Sequence, residues 1–85
     1  MSRSASMKQS RQDKLDRIFK GRRWRLEREV HLPEGQVFQT PLGTKGRHGY
    51  LIFDPDDPGT KYVVGARLMR LVHDEYDQDL PIPNS

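Results

Sequence analysis

The residues of this chain that could do chemistry are mostly basic, and they concentrate in one stretch. Positions 20–29 read KGRRWRLERE, with five lysines and arginines around the single tryptophan, Trp24. Basic residues at this density neutralise phosphates and release counterions, which gives affinity for nucleic acid without sequence preference. We therefore predict a nucleic-acid-binding surface, with a second contact from a basic loop. Its residues are Lys14, Arg17, Lys20, Arg22, Arg23 and Arg25, and in the loop Lys45 and Arg47.

The uneven distribution of charge along the chain supports the same prediction. The formal net charge of the whole chain is +3. Residues 1–28 hold ten Lys/Arg and three Asp/Glu, a net charge of +7. Residues 29–85 hold five Lys/Arg and nine Asp/Glu, a net charge of −4. Such asymmetry is typical of a protein that meets nucleic acid or an acidic protein surface, and it permits head-to-tail self-association.

An alternative function is that of a protein-binding module or inhibitor, of the kind that phages, plasmids and bacterial operons encode. The basic surface would then meet an acidic partner protein. An exposed strand edge, or the segment LPIP at 80–83, could dock as an added strand or an extended peptide. Glu27 and Glu29 interleave with the basic residues, and most faces of mixed charge are simply solvated. Both functions therefore stay open at this point.

The other chemical groups of the chain indicate neither a metal site nor catalysis. His31, His48 and His73 do not follow a metal-ligand spacing such as H-E-x-x-H. The acidic stretch 54–57, DPDD, is too short for a calcium loop, and its proline indicates a turn. There is no cysteine to act as a nucleophile or a zinc ligand. We expect no metal, no cofactor and no enzymatic activity.

Length and composition indicate one small domain. The chain has 85 residues and no cysteine, so its stability comes from a small core without disulfides. No apolar run approaches the roughly 20 residues that a membrane-spanning helix needs. The N-terminal sequence MSRSASMKQSRQ has no apolar region of the kind found in a secretory signal. We expect a cytoplasmic protein with no membrane association.

A basic helix is predicted before the strands. Ser10 and Asp13 form a helix-capping pattern, so we expect the helix to begin at Ser10. Gly21 is placed to end it in a left-handed conformation. Residues 1–9 are rich in serine and basic, and we expect them to form a disordered arm. The apolar face of the helix consists of Leu15, Ile18 and Phe19.

A β-hairpin is predicted after this helix. In WRLEREVHL, 24–32, apolar and polar residues alternate, as in a strand with one buried face. Arg28 alone interrupts that face. The turn PEG at 33–35 leads into QVFQT, which would return as a second strand and complete a hairpin over 23–40. The residues expected to face the core are Trp24, Leu26, Val30 and Leu32.

A second hairpin and a second helix are predicted in the remainder of the chain. PLGTKGRHG at 41–49 is a loop, and YLIF at 50–53 is a strand. DPDDPGT forms a turn, and KYVV at 61–64 returns as the partner strand. The apolar period then changes to that of a helix over 66–76. Residues 77–85 are expected to form an extended tail, acidic and containing prolines.

The order helix, hairpin, loop, hairpin, helix predicts an α+β fold. The helices would cover one face of a small antiparallel sheet of four strands, or would plug a small curled barrel. A single domain would span 10–76, between the arm at 1–9 and the tail at 77–85. Trp24 and Tyr50 could stack on bases, but the alternation places Trp24 on the apolar face, so we expect it in the core.

Overall fold

A three-stranded antiparallel sheet with two helices on one face forms the fold, so the predicted α+β class is confirmed. The computed structural model describes the backbone of residues 3–43 and 46–83, and the side chains from Arg11 onward within those ranges. Among these described residues, no helix combines the length and the apolar content that a membrane span requires. The elements in chain order are α1 (Arg3–Phe19), β1 (Arg25–His31), β2 (His48–Asp54), β3 (Asp57–Val64) and α2 (Ala66–Glu75).

Helix α1 is longer than predicted but ends as predicted. It begins at Arg3, so the predicted start at Ser10 is wrong, and residues of the expected arm continue the helix. Its last residue is Phe19. Gly21 then adopts a φ of 78°, which glycine tolerates because it has no Cβ. The amide of Arg22 donates to the carbonyl oxygen of Phe19 over 3.4 Å, which closes the helix end.

Strand β2 is central in the sheet, whose order is β1-β2-β3. The predicted hairpin over 23–40 is wrong, and the described residues form three strands rather than four. The PEG turn is present, since the amide of Gln36 donates to the carbonyl oxygen of Pro33 over 3.1 Å. QVFQT nevertheless forms no strand, and its Val37 stays 54% exposed. The run YLIF of β2 is apolar at every position and therefore suits a central strand better.

The hairpin of β2 and β3 is confirmed, with a tighter turn than predicted. The chain turns at Pro55 and Asp56, and Asp54 pairs with Asp57. Asp57 and the three residues after it, which were expected to belong to the turn, are the first residues of β3. A carboxylate oxygen of Asp54 accepts a hydrogen bond of 2.9 Å from the amide of Asp56, which stabilises the turn locally.

A β-bulge at Glu27 changes which residues of β1 face the core. Leu26 and Arg28 lie opposite consecutive residues of β2, so Glu27 has no partner of its own. Residues directly opposite each other in an antiparallel pair share a face. Arg28 lies opposite Leu51, and Val30 follows on the same side, away from the helices. The predicted inward position of Val30 is therefore wrong, and Arg28 does not interrupt the core face.

The core lies between the sheet and the two helices. Phe19 joins the layers, because its ring lies 5.4 Å from Trp24, 6.2 Å from Tyr62 and 5.8 Å from Tyr76, measured between ring centroids. Trp24 and Tyr50 are buried, so neither is available as an exposed stacking surface. The largest fully buried side chains are Trp24, Phe19, Ile52, Met69, Leu80, Val64 and Val72.

The segment after α2 packs against the core. Leu80 is 1% exposed, so its side chain is not available for docking, whereas Ile82 of the same segment is 59% exposed. The carboxylate of Asp77 accepts hydrogen bonds from the amides of Trp24 and Asp79. These contacts attach the C-terminal segment to the junction between α1 and β1. The division of the chain into an arm, one domain and a tail stays a prediction.

Candidate nucleic-acid interface

Three of the predicted cations lie on the solvent side of α1. Lys14, Arg17 and Lys20 are exposed, whereas Leu15 and Phe19 of the same helix are buried in the core. In the described part of the chain, none of the three cations forms an ion pair. Their charges are therefore available to an external anion.

The two arginines at the junction between α1 and β1 are instead paired with the acidic turn of the second hairpin. Nη1 of Arg22 lies 3.5 Å from Oδ2 of Asp54, and the guanidinium carbon lies 5.9 Å from the ring centroid of Trp24. Asp54 is 3% exposed, so this contact is part of the packing. Arg23 lies 3.8 Å from Asp56, and both side chains are exposed. An exposed pair of this kind contributes little, so Arg23 stays accessible to other anions.

Arg25 begins a row of side chains on the face of the sheet that the helices leave open. It lies opposite Phe53 of β2, and Phe53 lies opposite Lys61 of β3. A half-buried aromatic ring is thus flanked by a cation on each neighbouring strand. In the next row, Leu51 of β2 lies opposite Arg28 of β1 on one side and Val63 of β3 on the other. We call these two rows the outer face, and they consist of Arg25, Phe53, Lys61, Arg28, Leu51 and Val63.

The outer face carries a net positive charge. Nζ of Lys61 donates to Oε1 of Glu27 over 2.8 Å, so these two charges compensate each other. Arg25 and Arg28 are exposed, and within the described residues neither forms an ion pair. Two uncompensated arginines therefore remain on the outer face, Arg25 opposite Phe53 and Arg28 opposite Leu51.

Phe53 was not identified from the sequence. The signal for it is the alternation within YLIF, which places Tyr50 and Ile52 on the core face and Leu51 and Phe53 on the outer face. A run that is apolar throughout hides this alternation, because it is equally consistent with a strand buried on both faces.

The predicted loop contact is separate from this surface. Arg47 is exposed, and its Nε lies 3.4 Å from the carbonyl oxygen of Leu32, just beyond the end of β1. Arg25 lies at the start of that strand, whose 7 residues span roughly 20 Å. Lys45 lies outside the residues that the structure describes. The structure therefore does not bring Arg47 together with Arg25.

The structure places two of the three histidines side by side. His31 and His48 are cross-strand partners with ring centroids 5.6 Å apart, and Nε2 of His48 lies 3.4 Å from a carboxylate oxygen of Glu29. His73 lies elsewhere, on α2, beside Asp74. Within 3–43 and 46–83, no three His, Asp or Glu side chains are grouped so that they could hold a metal ion.

The carboxylate of Asp16, four residues before Lys20, is bound by the hydroxyl of Tyr76. The hydroxyl of Tyr76 donates to Oδ1 of Asp16 over 2.9 Å and accepts from Nε2 of Gln12 over 2.8 Å. Burial, together with the neighbouring Asp16 carboxylate, raises the pKa of Tyr76 to about 12. Asp16 is thus directed towards the end of α2, and this polar contact joins the two helices.

Comparison with protein-family models, curated proteins and solved structures finds no match to this chain.

Proposed function

We propose that this protein binds nucleic acid, with a preference for single strands, through the solvent side of α1 and the outer face of the sheet. One observation carries the proposal. Five exposed cations without an ion pair in the described part of the chain follow one another from the helix to the strand. They are Lys14, Arg17, Lys20, Arg25 and Arg28.

The position of these cations favours a polyanion over a single small anion. Three lie on one side of α1, and the chain reaches Arg25 only five residues after Lys20, so the Cα atoms of Lys20 and Arg25 are at most about 18 Å apart. Phosphates recur along a nucleic-acid strand at a similar or shorter spacing. An extended backbone that passes from α1 around the start of β1 could therefore contact Lys20 and Arg25 together.

The preference for single strands rests on Phe53. Aromatic rings on an open sheet face stack with unpaired bases, whereas bases inside a duplex already stack on each other. Arg25 and Lys61, on either side of Phe53, would meet the phosphates next to the stacked base. The same surface would bind a duplex by charge alone and therefore more weakly.

A salt titration tests the proposal. Fluorescence anisotropy is measured with labelled single- and double-stranded oligonucleotides of about 20 nucleotides, longer than the roughly 4–16 that one small module covers. If the five cations each meet a phosphate, log K against log salt has a slope of about −3.5 for the single strand. Absence of binding to either probe at low salt would overturn the proposal.

Matched variants locate the surface. Arg17→Gln and Arg25→Gln are each expected to reduce the slope by about 0.7, since each removes one phosphate contact. Arg67→Gln is the control, because Arg67 is an exposed arginine on α2 and is not one of the five cations. An equal loss in the control would mean that binding follows net charge and not this surface.

Phe53→Leu tests the stacking. It keeps an apolar side chain on the outer face but removes the ring, and should weaken single-strand binding roughly 5- to 150-fold. Phe53→Tyr should restore most of the affinity. Equal affinity of Phe53→Leu and the unaltered protein would remove the single-strand preference, while leaving binding by charge intact.

The protein-binding alternative would use the same cations against an acidic partner. Of the segment 80–83, on which this alternative depends in part, Leu80 is buried and Ile82 is 59% exposed. Retention of a stoichiometric acidic protein after nuclease treatment, combined with no binding of either oligonucleotide, would favour this alternative.

A further inference from the structure

A cleft of about 550 Å³ opens at the end of the sheet where β3 leads into α2. Its volume lies within the range of small-molecule sites in proteins. One wall is formed by Leu68 and Leu71 of α2, and the other by Phe38 and Leu42 of the long connection between β1 and β2. Leu68 is buried in the core, and Leu42 and Leu71 pack against it. An apolar group in the cleft would therefore touch the core directly.

The charged side chains that line this cleft are cationic. Arg11 of α1 and Arg67 of α2 line it, and both are exposed. Among the described residues, neither arginine forms an ion pair or a hydrogen bond through its side chain. His48 is a third basic lining residue, although Glu29 lies 3.4 Å from its Nε2.

No carboxylate belongs to the described lining of the cleft. Two uncompensated arginines thus stand at the rim of an apolar space in a chain that has 12 acidic residues. The first turn of α2 reaches the same space, since Gly65 and Ala66 line it. The partial positive charge of that helix end adds to the field of the arginines.

We infer that the cleft binds a small amphipathic carboxylate, with the apolar part between α2 and the long connection and the carboxylate between Arg11 and Arg67. Guanidinium groups form strong, often bidentate hydrogen bonds with carboxylates. The apolar walls disfavour a hydrophilic anion such as phosphate, and the arginines disfavour an amphipathic cation. The cleft shares Val63 with the outer face but none of its cations, so this site does not depend on the proposed binding of nucleic acid.

Four probes of similar size test the site in the intact protein. Octanoate and 3-phenylpropionate carry the carboxylate on an alkyl or an aryl group, octylammonium reverses the charge, and octanol removes it. Binding is followed by NMR through the amide signals of Gly65, Ala66 and Arg67. Both carboxylates are expected to shift these signals saturably. The carboxylate that binds more tightly shows whether the cleft prefers an alkyl or an aryl group. Equal binding of octylammonium or octanol would overturn the inference.

Charge-matched variants separate this site from a general effect of charge. Arg11→Gln/Arg67→Gln should weaken the binding of octanoate at least about tenfold, because two charge-assisted contacts are lost. Arg17→Gln/Arg25→Gln removes the same charge elsewhere and should leave the affinity unchanged. All four side chains are exposed, so both variants are expected to fold. Equal affinity of the two variants, or shifts confined to other amides, would refute the site.

Discussion

Replacing Asp77 with alanine tests whether the C-terminal segment is part of the folded domain. Asp77 is 8% exposed and follows α2. One carboxylate oxygen accepts a hydrogen bond from the amide of Trp24, and the other accepts one of 2.9 Å from the amide of Asp79. The first of these bonds joins positions 53 residues apart in the sequence. Alanine removes both acceptors and leaves the amide of Trp24 without a partner in the core.

The expected loss of stability follows from these two bonds. A hydrogen bond to a charged group contributes roughly 1.5–3 kcal/mol, and a buried donor left unsatisfied costs about 1–3 kcal/mol. The bond to Asp79 is partly buried and local, so it adds the smaller share. We expect Asp77→Ala to lower the free energy of unfolding by about 3 kcal/mol. For a domain of this size that corresponds to a fall in Tm of roughly 12–24 °C.

The assay is urea and thermal unfolding followed by tryptophan fluorescence. Trp24 is the single tryptophan and is 0% exposed, so its emission reports the loss of the core. Asp77→Asn keeps one acceptor and should lose about half as much stability. Asp79→Ala is the control, since its side chain is exposed and the bond uses its amide. A loss below about 1 kcal/mol for Asp77→Ala, or one equal to that of the control, would refute this account of the C-terminal segment.

Two further predictions concern the same core. Leu80→Ala should cost about 2–5 kcal/mol, whereas Ile82→Ala, at a side chain 59% exposed, should change stability by less than about 0.5 kcal/mol. Equal losses in urea unfolding would show that Leu80 is not packed as described. The pKa of Tyr76 is raised from 10.0 to about 12 by burial and by Asp16. The native state therefore holds this proton more tightly than the unfolded state, so the stability it confers is complete below pH 10 and is lost as the pH rises towards 12. Tyr76→Phe should remove this part of the pH dependence, and parallel stability curves for the two proteins would contradict the shift.

Several features of the fold could be predicted from local patterns alone. The change of apolar period after Gly65 predicted α2, and the turn residues around Pro55 predicted the hairpin of β2 and β3. Gly21 predicted the end of α1, because a glycine ends a helix through its own left-handed backbone conformation. These features depend on residues close together in the sequence, so their physical cause is visible without knowing what packs against them.

The partner of β1 could not be predicted in the same way. The PEG turn after β1 forms, yet the strand pairs with β2, whose Tyr50 and Ile52 belong to the core. The bulge at Glu27 likewise depends on the register with β2. The sequence pattern did contain one sign of the bulge, because Arg28 was the only charged residue that the alternation placed on the core face.

The candidate site likewise combines features that the sequence predicts with features that depend on tertiary structure. Its cations and their concentration in the first third of the chain are properties of the sequence by itself, as are the helical period and the terminating glycine of α1. Tertiary structure alone decided that Arg22 pairs with buried Asp54, that Arg47 lies far from Arg25, and that Phe53 lies between two cations. The physical reason is that periodicity identifies which side chains share a face, whereas pairing, burial and clefts depend on which distant element covers that face.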